Sequence, residues 1–179
     1  MSTKIPAGNR LIYEHPVELL QNLIRIDTTN PPGNESECII YINGLLQEAG
    51  FDTAIFAKDK NRPNLIVRLK GQGKTPPLML YGHVDVVPTA KQAWTYPPFE
   101  AKIVDGFIWG RGALDMKGGI AMMLAAVLRA KAEGLTPSGD IVFVILCDEE
   151  ADSEYGAKYL VETHSDQFAG IRYAIGEFG

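Results

Sequence analysis

The sequence contains few cysteines and histidines, and it has no long hydrophobic run. Only two of its 179 residues are cysteine and three are histidine. Cys38 and Cys147 lie far apart and form no C-x-x-C pair, which argues against a disulfide framework and a thiolate zinc site. We expect both to be reduced thiols. The longest apolar run, 120–128, is too short to span a bilayer.

Basic residues are also in the minority, and motifs for nucleotide binding are missing. Seventeen Lys and Arg residues against 22 Asp and Glu residues give a net charge of −5, which argues against a nucleic-acid partner. Neither G-x-x-x-x-G-K-[ST] nor a helix-opening G-x-G-x-x-G occurs. Residues 1–10 lack the apolar region of a signal peptide. We therefore expect a cytoplasmic protein with no membrane partner.

Glycine and proline divide the chain into alternating helices and strands. One predicted helix begins at Pro16, and three others cover roughly 35–49, 117–133 and 156–163. The predicted strands are 51–57, 65–69, 78–81, 140–147 and 173–175. Asp105-Gly106 predicts a type I′ turn joining a hairpin of 101–104 and 107–109. The segment Thr28–Ser36 is interpreted as a connector, with a functional loop as the alternative.

The order of these elements predicts an α/β fold, a three-layer sandwich with helices on both faces of a mostly parallel central sheet. The strands at 51–57 and 65–69 fit a sheet edge better than its centre. The unbroken apolar run at 78–81 is typical of a strand covered on both faces, and 140–147 (DIVFVILC) is the strongest buried strand that the sequence predicts. We expect the antiparallel hairpin to make the sheet mixed.

Polar residues with metal-binding chemistry follow the predicted buried strands. His83 follows the first strand, Asp148-Glu149-Glu150 follow the second, and Glu177 follows the last. The carboxyl ends of parallel strands line one crevice, so these side chains should converge there. Asp115, in a glycine-rich loop before the long helix, should approach from the same side.

One imidazole among several carboxylates is costly in a partly buried cleft unless a cation is bound. A divalent metal ion resolves this conflict. Asp85 could accept the free ring N–H of His83 and fix its tautomer. Simpler alternatives are a helix cap for Asp115, a solvated turn for Glu149-Glu150 and an exposed acid for Glu177.

Five blocks of sequence together resemble the M20-type co-catalytic metallopeptidases and deacylases, which include acetylornithine deacetylase, succinyl-diaminopimelate desuccinylase, aminoacylase and glutamate carboxypeptidase. The blocks are Leu80–Pro88 (LYGHVDVVP), Trp94 with Pro98-Phe99, Gly110–Gly119 (GRGALDMKGG), Asp148–Glu150 and Gly176-Glu177. They occur in the family's order and spacing over nearly the whole chain.

The resemblance implies two bound divalent metal ions. His83 would ligate one metal, Asp115 would bridge both, Glu150 would ligate the second, and Glu177 would complete the first. Nitrogen and oxygen ligands without thiolate suit zinc best, with cobalt or manganese as substitutes.

The resemblance also implies a hydrolase that cleaves amide bonds of N-acyl amino acids or small peptides. Glu149 would be the general base, Asp85 would orient His83, and the Asp115–Met116 peptide would be cis. A two-metal phosphoesterase and a metal-binding scaffold module without turnover are the alternatives.

Members of this family carry another metal-binding histidine far downstream and a separate lid or dimerisation domain. Neither occurs within residues 1–179. We therefore expect this chain to be the amino-terminal part of a metal-dependent hydrolase catalytic domain, and any homodimer to form through a segment outside it.

Overall fold

A computed structural model describes residues 12–177. The helices are α1 (Pro16–Arg25), α2 (Ser36–Glu48), α3 (Lys117–Ala132) and α4 (Ala157–Thr163), with 3₁₀ segments at Ile12–Glu14 and Ser165–Phe168. The strands are β1 (Thr53–Ala57), β2 (Pro63–Leu69), β3 (Leu78–His83), β4 (Lys102–Val104), β5 (Phe107–Trp109), β6 (Ile141–Leu146) and β7 (Tyr173–Ile175). The predicted elements are all present. Within residues 12–177, no helix combines the length and apolar character that a membrane crossing requires.

Proline and glycine fix the helix ends as the sequence predicts. Pro16 occupies the start of α1, where its missing N–H leaves no helical hydrogen bond unmade. Gly50 and Gly134 follow α2 and α3 in left-handed conformations, with φ of 77° and 68°. Glycine adopts this conformation without steric cost, so both helices end there.

Five strands form the central sheet in the order β1-β2-β6-β3-β7. Strands β6, β3 and β7 are parallel, whereas β2 is antiparallel to both of its neighbours. The sheet is therefore mixed because of β2. The expectation that the hairpin would make it mixed was wrong. The hairpin β4–β5 is a separate two-stranded sheet. Its turn residues Asp105 and Gly106 both have positive φ, which confirms the type I′ turn.

Two hydrophobic clusters lie on opposite faces of the sheet and confirm the three-layer sandwich. Alternate residues of β6 point to opposite faces, so Phe143 and Ile145 join one cluster while Val142 and Val144 join the other. The first cluster contains buried apolar residues from α1, α2 and α3. The second contains Leu160 of α4.

Two predictions about the strands were wrong. Strand β2 is not at the edge, because it lies between β1 and β6 with 63–67 buried. The prediction failed because Arg68 alternates with apolar residues in the way that a solvent-facing residue does. In the structure, Arg68 pairs with Asp140 at 3.1 Å. Residues 78–81 of β3 are half-buried rather than fully covered. Its neighbour β7 contributes only three residues, which are exposed and shield little of β3.

Candidate metal centre

The parallel strands bring the predicted site residues to one end of the sheet. His83 is the last residue of β3 and lies beside Leu146, the last residue of β6. The Asp148–Glu150 segment begins two residues after the end of β6, and Glu177 lies two residues beyond β7. Asp115 precedes α3, whose first turn begins at Lys117. The convergence that strand order predicts is therefore present.

His83 lies at the centre of the cluster. Its Nε2 atom is 3.1 Å from an oxygen of Asp115, 3.4 Å from one of Glu177 and 3.7 Å from one of Glu149. Two triads have all their candidate ligand atoms within 4.8 Å of one another, His83 with Glu149 and Glu177, and His83 with Asp115 and Glu150. The side chains are thus close enough to hold metal ions.

The imidazole is buried while the carboxylates remain open to solvent. His83 is 1% exposed, whereas the Asp115 side chain is 55% exposed and the Glu149 side chain 48%. His83, Glu149 and Glu177 border a cavity of about 300 Å³, which is also lined by Tyr81, Gly82, Met116 and Leu146. A small ligand can therefore reach the carboxylates from one side.

The surrounding acids change the protonation of His83. Burial alone would lower its pKa, but hydrogen bonding to Asp85 and the charges of Asp85 and Glu149 outweigh burial and raise the pKa to about 9. The metal-free imidazole is therefore protonated at pH 7, and its charge balances the nearby carboxylates. A metal ion at Nε2 would have to displace that proton.

Two of the carboxyl groups resist ionisation in this setting. The pKa of Glu150 is raised by burial and then by the charge of Asp115. The pKa of Glu177 is raised by burial and then by a hydrogen bond with Asp115 and the charge of Asp115. Crowded acids that disfavour one another's charge are the arrangement that a bound cation stabilises. The donor set, one imidazole and four carboxyl groups, fits divalent metal ions.

Asp85 contacts the site through more than His83. The Nδ1 atom of His83 lies 3.0 Å from the Asp85 backbone carbonyl and 3.4 Å from its carboxylate. The carboxylate accepts hydrogen bonds from the backbone N–H groups of Glu149 and Glu150, both at 3.0 Å. Burial raises the pKa of Asp85, but its hydrogen bonds outweigh this and lower it. Asp85 is therefore a charged anchor for the Glu149-Glu150 backbone.

The helix-cap alternative for Asp115 finds no support. The residue at the cap of α3 is Met116, and no side chain caps this helix end. The Asp115–Met116 peptide is cis, as the family resemblance implies. Glu177 is exposed, but it is not an isolated surface acid, because its carboxylate lies 3.4 Å from Nε2 of His83.

Sequence reasoning missed polar residues behind the cluster. The connector interpretation of Thr28–Ser36 was incomplete, because Asn30 is buried and donates hydrogen bonds to Asp85 at 2.8 Å and Asp148 at 3.0 Å. Arg62 pairs with Asp148 at 2.9 Å. A lone Asn before two prolines is also typical of an ordinary turn. No local pattern therefore separates this segment from a connector.

Comparison with known proteins places these features in a family. A model of peptidase family M20/M25/M40 matches residues 79–177. Succinyl-diaminopimelate desuccinylase of Cereibacter sphaeroides is 38% identical over 149 residues, which cover 82% of this chain and 38% of that protein. The chain thus spans about two fifths of the length of this curated relative.

Solved structures share the fold. Human carnosine dipeptidase 1 matches with a TM-score of 0.79 and 24% identity, covering 94% of this chain and 39% of that one. A Bacillus subtilis protein described as a dinuclear metal binding peptidase of the M20 family matches with a TM-score of 0.63 and 20% identity, covering 94% and 43%. The matched family model covers more than half of the sequence and includes His83, Asp115, Glu149, Glu150 and Glu177. The chain belongs to peptidase family M20/M25/M40.

Proposed function

We propose that the protein containing this chain is a dinuclear metal-dependent hydrolase that cleaves amide bonds of N-acyl amino acids or small peptides. The observation that carries the proposal is the convergence of His83 with four carboxyl groups, of which Glu149 and Glu177 line an open cavity together with His83. The desuccinylase name of the curated relative supports an N-acyl substrate. The dipeptidase name of the structural neighbour supports a peptide.

The ligand assignment follows the family pattern. His83 and Glu177 would hold one cation, Glu150 would hold the second, and Asp115 would bridge the two. Asp115 suits a bridging role because its carboxyl group lies 3.1 Å from His83, a ligand of the first cation, and within 4.8 Å of a ligand atom of Glu150, which would hold the second. Zinc fits this nitrogen and oxygen donor set best, with cobalt or manganese as substitutes. When bound, the cations would lower the pKa of a water molecule and polarise the scissile carbonyl.

Glu149 is the general base in this proposal. Its side chain is 48% exposed and lines the cavity, so a water molecule and a substrate can both approach it. It would accept a proton from the attacking water and return it to the departing amine nitrogen. A positioned acid or base of this kind contributes about 10² to 10⁴ in rate.

Asp85 would act through the groups that it positions. Its carboxylate holds two consecutive peptide N–H groups, and these belong to the proposed base Glu149 and the proposed ligand Glu150. Fixing both peptides with one buried carboxylate sets the directions of both side chains. Asp85 is therefore a positioning residue.

The test is a comparison of Glu149→Gln with Glu133→Gln in the protein that contains residues 1–179. Glu133 is an exposed acid that pairs with Arg129 at the end of α3, so it is a matched control. We expect Glu149→Gln to retain two metal ions per chain while kcat on an N-acyl amino acid falls by about 10² to 10⁴. The control should retain both metal content and kcat.

Metal analysis and assays on three substrate types decide the outcome. The substrates are N-acyl amino acids, dipeptides and a phosphate ester. Full activity in Glu149→Gln would refute the role of Glu149 as the base. Turnover of the phosphate ester alone would favour a phosphoesterase, and two bound metals without any turnover would favour a scaffold.

A further inference from the structure

The backbone of Asp148 has an uncommon conformation directly before the two glutamates of the centre. Its φ is 58°, in the left-handed region that few non-glycine residues adopt. Asp is among the residues that tolerate this region best, but the conformation still needs support from its surroundings. A change at this position would redirect both Glu149 and Glu150.

The Asp148 side chain is held by three separate parts of the chain. One carboxylate oxygen forms an ion pair with Arg62 at 2.9 Å and accepts a hydrogen bond from Asn30 at 3.0 Å. The other accepts one from the backbone N–H of Tyr155 at 3.1 Å. Asp148 is only 2% exposed, so no bulk water replaces these contacts.

Arg62 is itself fixed in place. Its guanidinium donates to both carboxylate oxygens of Glu35, at 2.8 and 3.2 Å, and lies 4.8 Å from the centre of the Tyr155 ring. Glu35 is fully buried and Arg62 is 8% exposed. Two acids thus share one guanidinium, whose planar fork suits such paired contacts.

Asn30 connects this ion pair to the metal centre. Its amide donates to both Asp148 and Asp85, and Asp85 accepts the backbone N–H groups of Glu149 and Glu150. Both ends of the Asp148–Glu150 segment are therefore held, one at the Asp148 side chain and the other at the glutamate peptides. The Arg62 guanidinium contacts Glu35, Asp148 and the Tyr155 ring, which are not proposed metal ligands, so its effect on the centre must be indirect.

We propose that Arg62 is a positioning residue of the metal centre: Arg62 holds Asp148 so that Glu149 and Glu150 face His83. The inference rests on the proposed function, because it assigns Arg62 a role in metal binding. A purely structural ion pair would affect folding stability alone. A positioning residue changes metal affinity and ligand geometry as well, typically by about 10- to 100-fold in affinity.

The chain offers a matched control at the opposite end of β6. Arg68 pairs with Asp140, which precedes β6, just as Arg62 pairs with Asp148, which follows it. Lysine retains the positive charge in both variants but loses the fork. We therefore compare Arg62→Lys with Arg68→Lys in the protein that contains this chain.

The measurements are Co²⁺ and Zn²⁺ affinity by calorimetry, the visible spectrum of the Co²⁺-loaded protein, and metal-free thermal melting. We expect Arg62→Lys to bind Co²⁺ about 10- to 100-fold more weakly and to change the visible spectrum. Arg68→Lys should retain wild-type affinity and spectrum even if its melting temperature falls. Asp148→Asn, which tolerates left-handed backbone but lacks the charge, should weaken binding similarly and serves if Arg62→Lys fails to fold.

The wild-type protein separates the two levels of the inference. If it does not bind two cations, the proposed function fails, and this inference fails with it. If it binds two cations and folded Arg62→Lys binds them with the same affinity and spectrum, only the positioning role is overturned. Equal losses in Arg62→Lys and Arg68→Lys would also overturn it.

Discussion

Metal binding should depend steeply on pH because His83 must lose a proton to become a ligand. With a pKa of about 9, about one His83 in 100 is neutral at pH 7 in the metal-free protein. The cost of deprotonation at pH 7 is about 3 kcal/mol, since each pKa unit corresponds to about 1.4 kcal/mol. Raising the pH from 7 to 9 should therefore strengthen apparent metal affinity by up to about 100-fold.

Calorimetry in buffers of different ionisation enthalpy measures this effect directly. At pH 7 we expect His83 to contribute about one released proton per chain on metal binding, and fewer as the pH rises through 9. Asp85→Asn removes the acid that lies beside Nδ1 of His83 and raises the pKa of His83. The pH dependence of metal affinity in this variant should therefore shift to lower pH. Equal affinity at pH 7 and pH 9, with no proton release at either, would refute the reasoning.

The same pKa shift has a consequence for the metal-free fold. His83 binds its proton more tightly when folded than when unfolded, where its pKa is near 6.5. The stabilisation is therefore complete below pH 6.5 and is lost as the pH rises to about 9. Chemical denaturation of the metal-free protein across this range should show a decrease of at most about 3 kcal/mol in the free energy of unfolding from this group.

Three further predictions concern metal content, packing and thiol reactivity. Asp115→Ala removes the proposed shared ligand, so metal analysis should find both cations lost; unchanged stoichiometry would exclude the bridge. Gly156→Ala places a methyl group against the backbone carbonyl of Cys147 and should destabilise the fold by about 1–3 kcal/mol in urea unfolding. Gly44→Ala, in α2, places its methyl group where no atom lies within 4 Å, and it should stabilise the fold by up to about 1 kcal/mol. Burial raises the pKa of the Cys38 thiol to about 11, so a thiol reagent should label it only after unfolding; rapid labelling of the native protein would contradict this.

Local sequence patterns predicted the helices and strands, because the residues that form each of them are neighbours in the chain. The apolar spacing of α3 and the Gly134 that follows it predicted that helix, and the apolar residues within 140–147 predicted β6 as a buried strand. The place of β2 in the sheet was mispredicted, because strand order depends on partners far along the chain. Arg68 resembled an edge residue only because its partner Asp140 lies 72 residues away.

The sequence by itself determined the candidate donors and predicted that they would meet. His83, Asp148–Glu150 and Glu177 follow strands, and parallel strands bring their carboxyl ends together. Only the tertiary structure revealed how these donors are held. Asn30 and Asp148 are separated by 118 residues. Arg62 lies just before β2, whereas its partner Asp148 lies after β6. Buried polar contacts of this kind follow from three-dimensional packing, which leaves no periodicity or spacing in the sequence to detect.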